Sequence, residues 1–237
     1  MNRAGDANQL RTLLLRRRGF VFDFDDTLVR SRGRRTKVLQ DTAKKLGFEY
    51  QSELEASAWG SPFSEMIERL IPGVRFDDFL IEYRRATSTL PPEVLPGVQE
   101  TLQNARRLNI FCAVLSSSHT DLINDELESS GLAEYFDVVV GYDRSAPYMK
   151  PDPRTLLPIL SSWQSRFGIL MRDIILFGDS ITDAQLAIKA GASFVAVTTG
   201  SHRIVDFTAL GFQYVVVSLR RIAEALSTAS VDGRSWG

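Results

Sequence analysis

Residues 19–28 read GFVFDFDDTL. A wholly apolar run, Gly19 to Phe22, ends in three carboxylates, Asp23, Asp25 and Asp26. A run this short, rich in aromatic and β-branched residues, is expected as a strand buried on both faces. The acids then lie past its end, at the carboxyl edge of a sheet, where open α/β folds bind ligands. Asp23 and Asp25 are two apart, so in extended chain they point the same way. Neighbouring carboxylates repel and raise each other's pKa unless a cation neutralises them. A hard cation with oxygen ligands, such as Mg²⁺, is the natural partner.

The rest of the chain supplies a frame for that edge. Arg30 to Arg35 reads as a basic linker. Four helical stretches follow: Thr36 to Leu46, stopped by Gly47; Ser52 to Trp59, with Ser52 as candidate N-cap; Ser64 to Leu70; and Phe76 to about Thr87. Residues 33–90 hold no strand, and helices this short bury their faces only by packing together as a small bundle. LPPEVLPG, residues 90–97, is a boundary signal. Beyond it helices and strands alternate. Strands are expected at Ile110 to Leu115, Phe136 to Val140, Ile174 to Phe177, Ser193 to Val197 and Tyr214 to Val217. Helices are expected at Val98 to Leu108, His119 to Ser129, Arg154 to Phe167, Thr182 to Ala190, Val205 to Leu210 and Leu219 to Ser227. That alternation means a parallel sheet with right-handed crossovers. The fold class is therefore α/β, a Rossmann-like parallel sheet over 10–32 and 91–237, with a helical bundle inserted at 33–90.

The chain has 237 residues and a formal net charge of −1, which gives no basic field for nucleic acid. No stretch is long and apolar enough to span a bilayer. Leu13 to Leu15 is too short for a secretory core and runs straight into Arg16 to Arg18. Residues Met1 to Gln9 are polar and expected to be loosely ordered. The single cysteine, Cys112, reads as a small core residue and suits a reducing, cytoplasmic compartment.

Three more strand ends carry polar groups. Ser116, Ser117 and Ser118 follow the second strand; one can donate to a phosphoryl oxygen, and one can cap the next helix. Lys150 follows the third, in Lys150-Pro151-Asp152-Pro153, where the prolines stiffen its approach. It can offset carboxylates and bind phosphate, or be an ordinary turn lysine. Gly178-Asp179-Ser180-Ile181-Thr182-Asp183 follows the fourth. Asp179 and Asp183 are one helical turn apart, a second carboxylate pair suited to an oxygen-ligand metal site.

With DFDDT, Ser116, KPDP and GDSITD in this order, the chain resembles the haloacid dehalogenase superfamily from about Gly19 to Leu226. The nearest likeness is to phosphoglycolate-phosphatase-like members with a helical cap after the first strand. The resemblance implies a phosphatase acting on a small phosphorylated metabolite. It implies Asp23 as nucleophile and Asp25 as proton carrier, with Ser116 and Lys150 on the phosphoryl group. It also implies Mg²⁺ held by Asp23, Asp179 and the backbone carbonyl of Asp25, with Asp183 in support. An aspartate at 25 is the family's mark of phosphoryl chemistry. A phosphomutase of the β-phosphoglucomutase type and a non-catalytic phospho-ligand binder remain alternatives.

The inserted helices should close over the acidic edge as a lid. Thr27, Ser117, Trp59 and Gly60 are candidate substrate contacts, although Trp59 also reads as a lid-core residue. The arginines at 30, 32, 34 and 35 read as solvated, or as attracting a polyanion. His119 and His202 fit no metal or triad pattern and read as structural. Asp26 carries no role.

Overall fold

The computed structural model describes residues 3–230. It opens with α1 (Arg3–Leu15) and β1 (Gly19–Phe22). The short strand β2 (Val29–Arg30) precedes α2 (Arg32–Leu46), α3 (Glu55–Ala58), α4 (Phe63–Leu70) and α5 (Phe76–Ser88). Strand β3 (Glu93–Val94) returns antiparallel to β2. The chain continues through α6 (Val98–Arg107), β4 (Phe111–Leu115), α7 (Thr120–Ser129), β5 (Val138–Val140), α8 (Tyr142–Ser145) and α9 (Leu157–Phe167). It ends with β6 (Ile174–Gly178), α10 (Ile181–Ala190), β7 (Ser193–Val197), α11 (Ile204–Ala209), β8 (Val215–Val216) and α12 (Arg220–Ser227).

Six strands form one parallel sheet in the order β5-β4-β1-β6-β7-β8. From β1 the chain builds outward to β4 and β5, then crosses back to build β6, β7 and β8 on the other side. The direction reverses beside β1, so a crevice opens past its carboxyl end. The acidic run leaves the sheet at that point.

The alternation within β1 serves two cores. Phe20 and Phe22 face a layer with Val114, Phe177 and helices α1, α6 and α12. Val21 faces the opposite layer with Leu115, Leu176 and Trp163. Phe22 stacks on Phe177 with centroids 4.7 Å apart. Both layers exclude water, which is why the strand had to be apolar throughout.

The helices α2 to α5 have their own apolar cluster. In α4, Phe63, Met66, Ile67 and Leu70 line one face at helical spacing. They pack with Leu39, Phe79 and Tyr83, and the cluster takes in Leu122 from α7. Ion pairs tie the same segment to α7: Arg84 to Asp125 at 2.6 Å and Arg34 to Glu126 at 2.9 Å.

Several expectations are corrected. The N-terminal stretch is helical, not loose, because Leu10 and Leu14, one turn apart, are buried against the core that holds α12. Met1 and Asn2 lie outside the described residues. Arg30 to Arg35 is not a linker: Arg30 belongs to β2 and α2 starts at Arg32. Ser52 opens a 3₁₀ turn, Ser52–Leu54, and makes no side-chain cap, so the helix there shrinks to α3. The stretch from Arg154 begins as a 3₁₀ turn, Pro153–Leu156, capped by the Asp152 side chain, before α9. Among the described residues no helix is long and apolar enough to cross a membrane.

Candidate active site

Asp23 extends the ladder past β1, its N–H donating to the Phe177 carbonyl at 2.8 Å. This holds its carboxylate at the sheet edge. The chain then turns back on itself at Asp26, which takes a left-handed φ of 54°. Aspartate tolerates that conformation better than most residues. Asp26 accepts the Ser31 N–H on Oδ1 at 2.9 Å, and its carbonyl accepts the Thr199 hydroxyl. Asp26 is thus structural, because it shapes the turn that aims Asp23 and Asp25.

Asp179 follows β6 and Asp183 lies in the first turn of α10. Among the described residues, Asp23, Asp179 and Asp183 each offer an oxygen within 4.8 Å of the other two. Lys150 reaches in from the loop before α9. Its Nζ donates to Asp23 Oδ1 and to Asp183 Oδ1, both at 2.7 Å. Asp183 also closes a capping box with Ser180, whose hydroxyl donates to Oδ2 at 2.5 Å. Capping and the acidic cluster therefore share this residue. Backbone packs tightly around the cluster. A Cβ on Gly178 would lie 2.5 Å from the Asp183 Cβ, and one on Gly200 would lie 1.7 Å from Asp179 Oδ2.

The cluster is electrostatically overloaded. Burial pushes Asp23 up to about 7, and the Asp183 and Asp25 charges add to that against the pull of Lys150. Asp179 is held well above the usual carboxylate range by burial and by the charges of Asp23 and Asp183. Burial would lower Lys150, but Asp183 and Asp23 outweigh it and hold its ammonium above the ordinary lysine value. One ammonium does not balance three acids, and the donors are all oxygen. That set fits a hard divalent cation such as Mg²⁺.

Asp25 turns to a different partner. Its Oδ2 pairs with Arg35 Nη1 at 2.9 Å and accepts the Ser118 hydroxyl at 2.9 Å. Arg35 also donates to that hydroxyl oxygen. Oδ1 of Asp25 is buried and has no hydrogen-bond partner among the described residues. The Asp25 carboxylate is outside the three-acid cluster, which leaves only its backbone for the metal role expected of it.

Arg35 is 3% exposed, so its reading as a solvated basic residue is overturned. Its place was legible in the spacing. Extending α2 one turn upstream puts Arg35 on the face of Val38, Leu39 and Thr42, all buried.

A cavity of about 300 Å³ opens over these groups. Ser116, Ser117, Trp59 and Gly60 line it with Asp23, Asp25 and Lys150. The Ser117 carbonyl accepts the Phe63 N–H at 3.1 Å, joining the core loop to the helical segment. Trp59 packs on the helical cluster with one side and faces the cavity with another. Thr27 does not reach the cavity: it is fully buried, and its hydroxyl approaches Asp179 Oδ1 at 3.4 Å. Its expected substrate contact is replaced by support of an acid. His119 caps α7, its Nδ1 accepting the Asp121 N–H at 3.3 Å. His202, read as structural, lines the cavity together with Ser201 and Arg32. No motif marked Ser201 or His202, because only the sheet order brings the loop after β7 to this crevice.

Comparison with known proteins agrees with this picture. The family model described as haloacid dehalogenase-like hydrolase matches residues 20–197. A phosphoglycolate phosphatase of Nitrosospira multiformis is 30% identical over 174 residues, 72% of this chain and 70% of its own. One from Thiobacillus denitrificans is 26% identical over 221 residues, 88% of this chain and 95% of its own. Among solved structures, CbbY from Rhodobacter sphaeroides in complex with phosphate superposes with a TM-score of 0.74 at 18% identity. That match covers 89% of this chain and 99% of the other, and it speaks for the fold alone.

Proposed function

The chain belongs to the haloacid dehalogenase-like hydrolase family, and from that membership we propose that it hydrolyses a small phosphate monoester through a phosphorylated Asp23. The observation that carries this reading is the cluster of Asp23, Asp179 and Asp183, bridged by Lys150 at the end of the central strand. The names of the curated relatives support a phosphoric monoester as substrate class.

Asp23 and Asp179, with Asp183 behind them, would hold Mg²⁺. Once bound, it would offset the cluster's charge and stabilise the phosphoryl oxygens. Asp23 attacks phosphorus, and the bond from phosphorus to the ester oxygen breaks. Asp25 gives its proton to that leaving oxygen. A water then attacks the phosphorus of phospho-Asp23, and Asp25 takes the water's proton. The acyl-phosphate bond breaks, releasing phosphate and regenerating Asp23. Arg35 and Ser118 hold Asp25 Oδ2, which fixes the orientation of the carboxyl that exchanges the proton. Such an acid/base contributes roughly 10²–10⁴-fold. Lys150 and Ser116 bind the transferring oxygens.

The helical segment serves as the lid. Its Trp59–Gly60 turn lines the cavity, and its ion pairs to α7 hold it over the site. Buried Cys112 fits a reducing, cytoplasmic compartment.

The test is phosphate release from a panel of monoesters with Mg²⁺ and with chelator. Wild-type turnover should require the metal and vanish in Asp23→Asn. Full activity in that variant would sink the assignment.

A further inference from the structure

We infer that Ser118 is a positioning residue for both halves of the reaction: its hydroxyl aligns the proton carrier Asp25, and its backbone N–H turns the Ser116 hydroxyl towards the phosphoryl group. This role rests on the phosphatase reading above and adds to it a residue that does not itself react.

Three consecutive serines follow β4, and each has a different task. Ser116 lines the cavity beside Asp23 and Lys150. Ser117 lends its carbonyl to the helical segment through the Phe63 N–H. Ser118 stands between Asp25, Arg35 and Ser116.

The direction of the Ser118 hydroxyl proton follows from its partners. Arg35 Nη1 donates to Ser118 Oγ, and a guanidinium has no acceptor, so the oxygen must accept there. A serine hydroxyl has one proton, and Asp25 Oδ2 lies 2.9 Å from Oγ. That proton is therefore given to the carboxylate. Arg35 Nη1 reaches the same Oδ2 at 2.9 Å. Two donors from different elements restrain the rotation of the carboxyl more than either alone.

The backbone of Ser118 acts on the other side. Its N–H donates to Ser116 Oγ at 3.0 Å. The Ser116 proton must then point away from Ser118, and no described residue accepts it. Ser118 is itself held in place. It is 3% exposed, and its carbonyl accepts the Tyr142 N–H at 3.0 Å. A Cβ on Gly141 would lie 2.5 Å from that carbonyl oxygen, so the turn after β5 closes directly on it. One fixed residue thus holds the proton carrier and the phosphoryl donor in a common frame.

The experiment uses full-length protein with Mg²⁺ and two esters, ethyl phosphate and p-nitrophenyl phosphate. The readout is the ratio of their kcat/KM values. Ethoxide needs a proton from Asp25 to leave, whereas p-nitrophenolate leaves without one. Ser118→Ala keeps the N–H to Ser116 and removes only the hydroxyl. It should lower kcat/KM for ethyl phosphate about 10- to 100-fold more than for p-nitrophenyl phosphate, the worth of a hydrogen bond to a charged group. The loss should fall on kcat with KM little changed, because the alignment acts in the transition state. Ser118→Thr, which keeps a hydroxyl, should restore the ratio. Ser116→Ala should lower both esters by the same factor. In an Asp25→Asn background, adding Ser118→Ala should leave the ratio where it was. Should the alanine variant fail to fold, Ser118→Cys, close in size and a weaker donor, reads the same ratio. A Ser118→Ala protein that loses both esters equally would overturn the role and leave the phosphatase reading intact. So would a Ser118→Ala effect on the ratio that persists in Asp25→Asn. Wild type that cleaves neither ester would overturn both.

Discussion

Replacing Asp179 by asparagine should make the metal-free protein more stable. Asp179 is 9% exposed, and among the described residues its only side-chain hydrogen-bond partner is the Thr27 hydroxyl at 3.4 Å. It lies within 4.8 Å of two other carboxylates. At an effective dielectric of about 20, each such pair repels by about 3.5 kcal/mol. Lys150 offsets part of this, and Asp179 limits the rest by holding its proton. A net gain of about 2 kcal/mol on removing the charge is therefore expected near pH 8. The sign follows from the raised pKa. A carboxyl whose folded value lies above its unfolded value favours the fold at low pH, and that support is lost as pH rises through the folded value. The advantage of asparagine should thus vanish near pH 4 and grow with pH. For a chain of this size, 2 kcal/mol corresponds to a melting shift of about 4–8 °C. Thermal melts in chelator at both pH values measure it. Adding Mg²⁺ should reverse the order, because wild type gains a ligand that the variant binds poorly. A variant that melts below wild type in chelator near pH 8 would refute the reasoning. It would mean that the cluster is held by attraction and is not waiting for a cation.

Three further outcomes follow from the same geometry. Gly200→Ala should cut Mg²⁺ affinity at least about tenfold by calorimetry, since its Cβ would fall 1.7 Å from Asp179 Oδ2 and force the carboxylate aside. Arg35→Met should cost about 3–5 kcal/mol by chemical denaturation, because Asp25 is left without its buried cation, and Arg35→Lys should recover part of the loss. Mg²⁺ affinity should fall as pH drops below about 7, because Asp23 must lose its proton to bind, and calorimetry in two buffers should show proton release on binding.

Much of the fold was legible because it rests on local signals. The dry run at Gly19–Phe22, the strand-helix alternation after Gly97 and the helical spacing in Phe63–Leu70 all report burial directly. The same signals failed where burial depended on a distant partner. The α1 helix shows only a thin stripe, Leu10 and Leu14, and it is ordered by a core that includes the far end of the chain. Arg35 looked like one of four exposed arginines because the helix was expected to begin at Thr36; only with α2 starting at Arg32 does the spacing to Val38, Leu39 and Thr42 turn it inward. Thr27, two residues past Asp25, looked like a ligand contact, yet the turn at Asp26 sends it beneath Asp179.

The sequence by itself determined the acids, the lysine, the serine and their positions at strand ends, because a buried strand can release charged residues only at its edges. It also determined that a helical segment stands between the first and second long strands. Only the tertiary structure decided how the acids divide: Asp23, Asp179 and Asp183 converge, while Asp25 turns to Arg35 and Ser118. It also brought Gly200, Ser201 and His202 to the crevice. The reason is sheet order. Asp26 and Thr199, 173 positions apart, become neighbours because β6 and β7 are laid beside β1, and no local pattern records that adjacency.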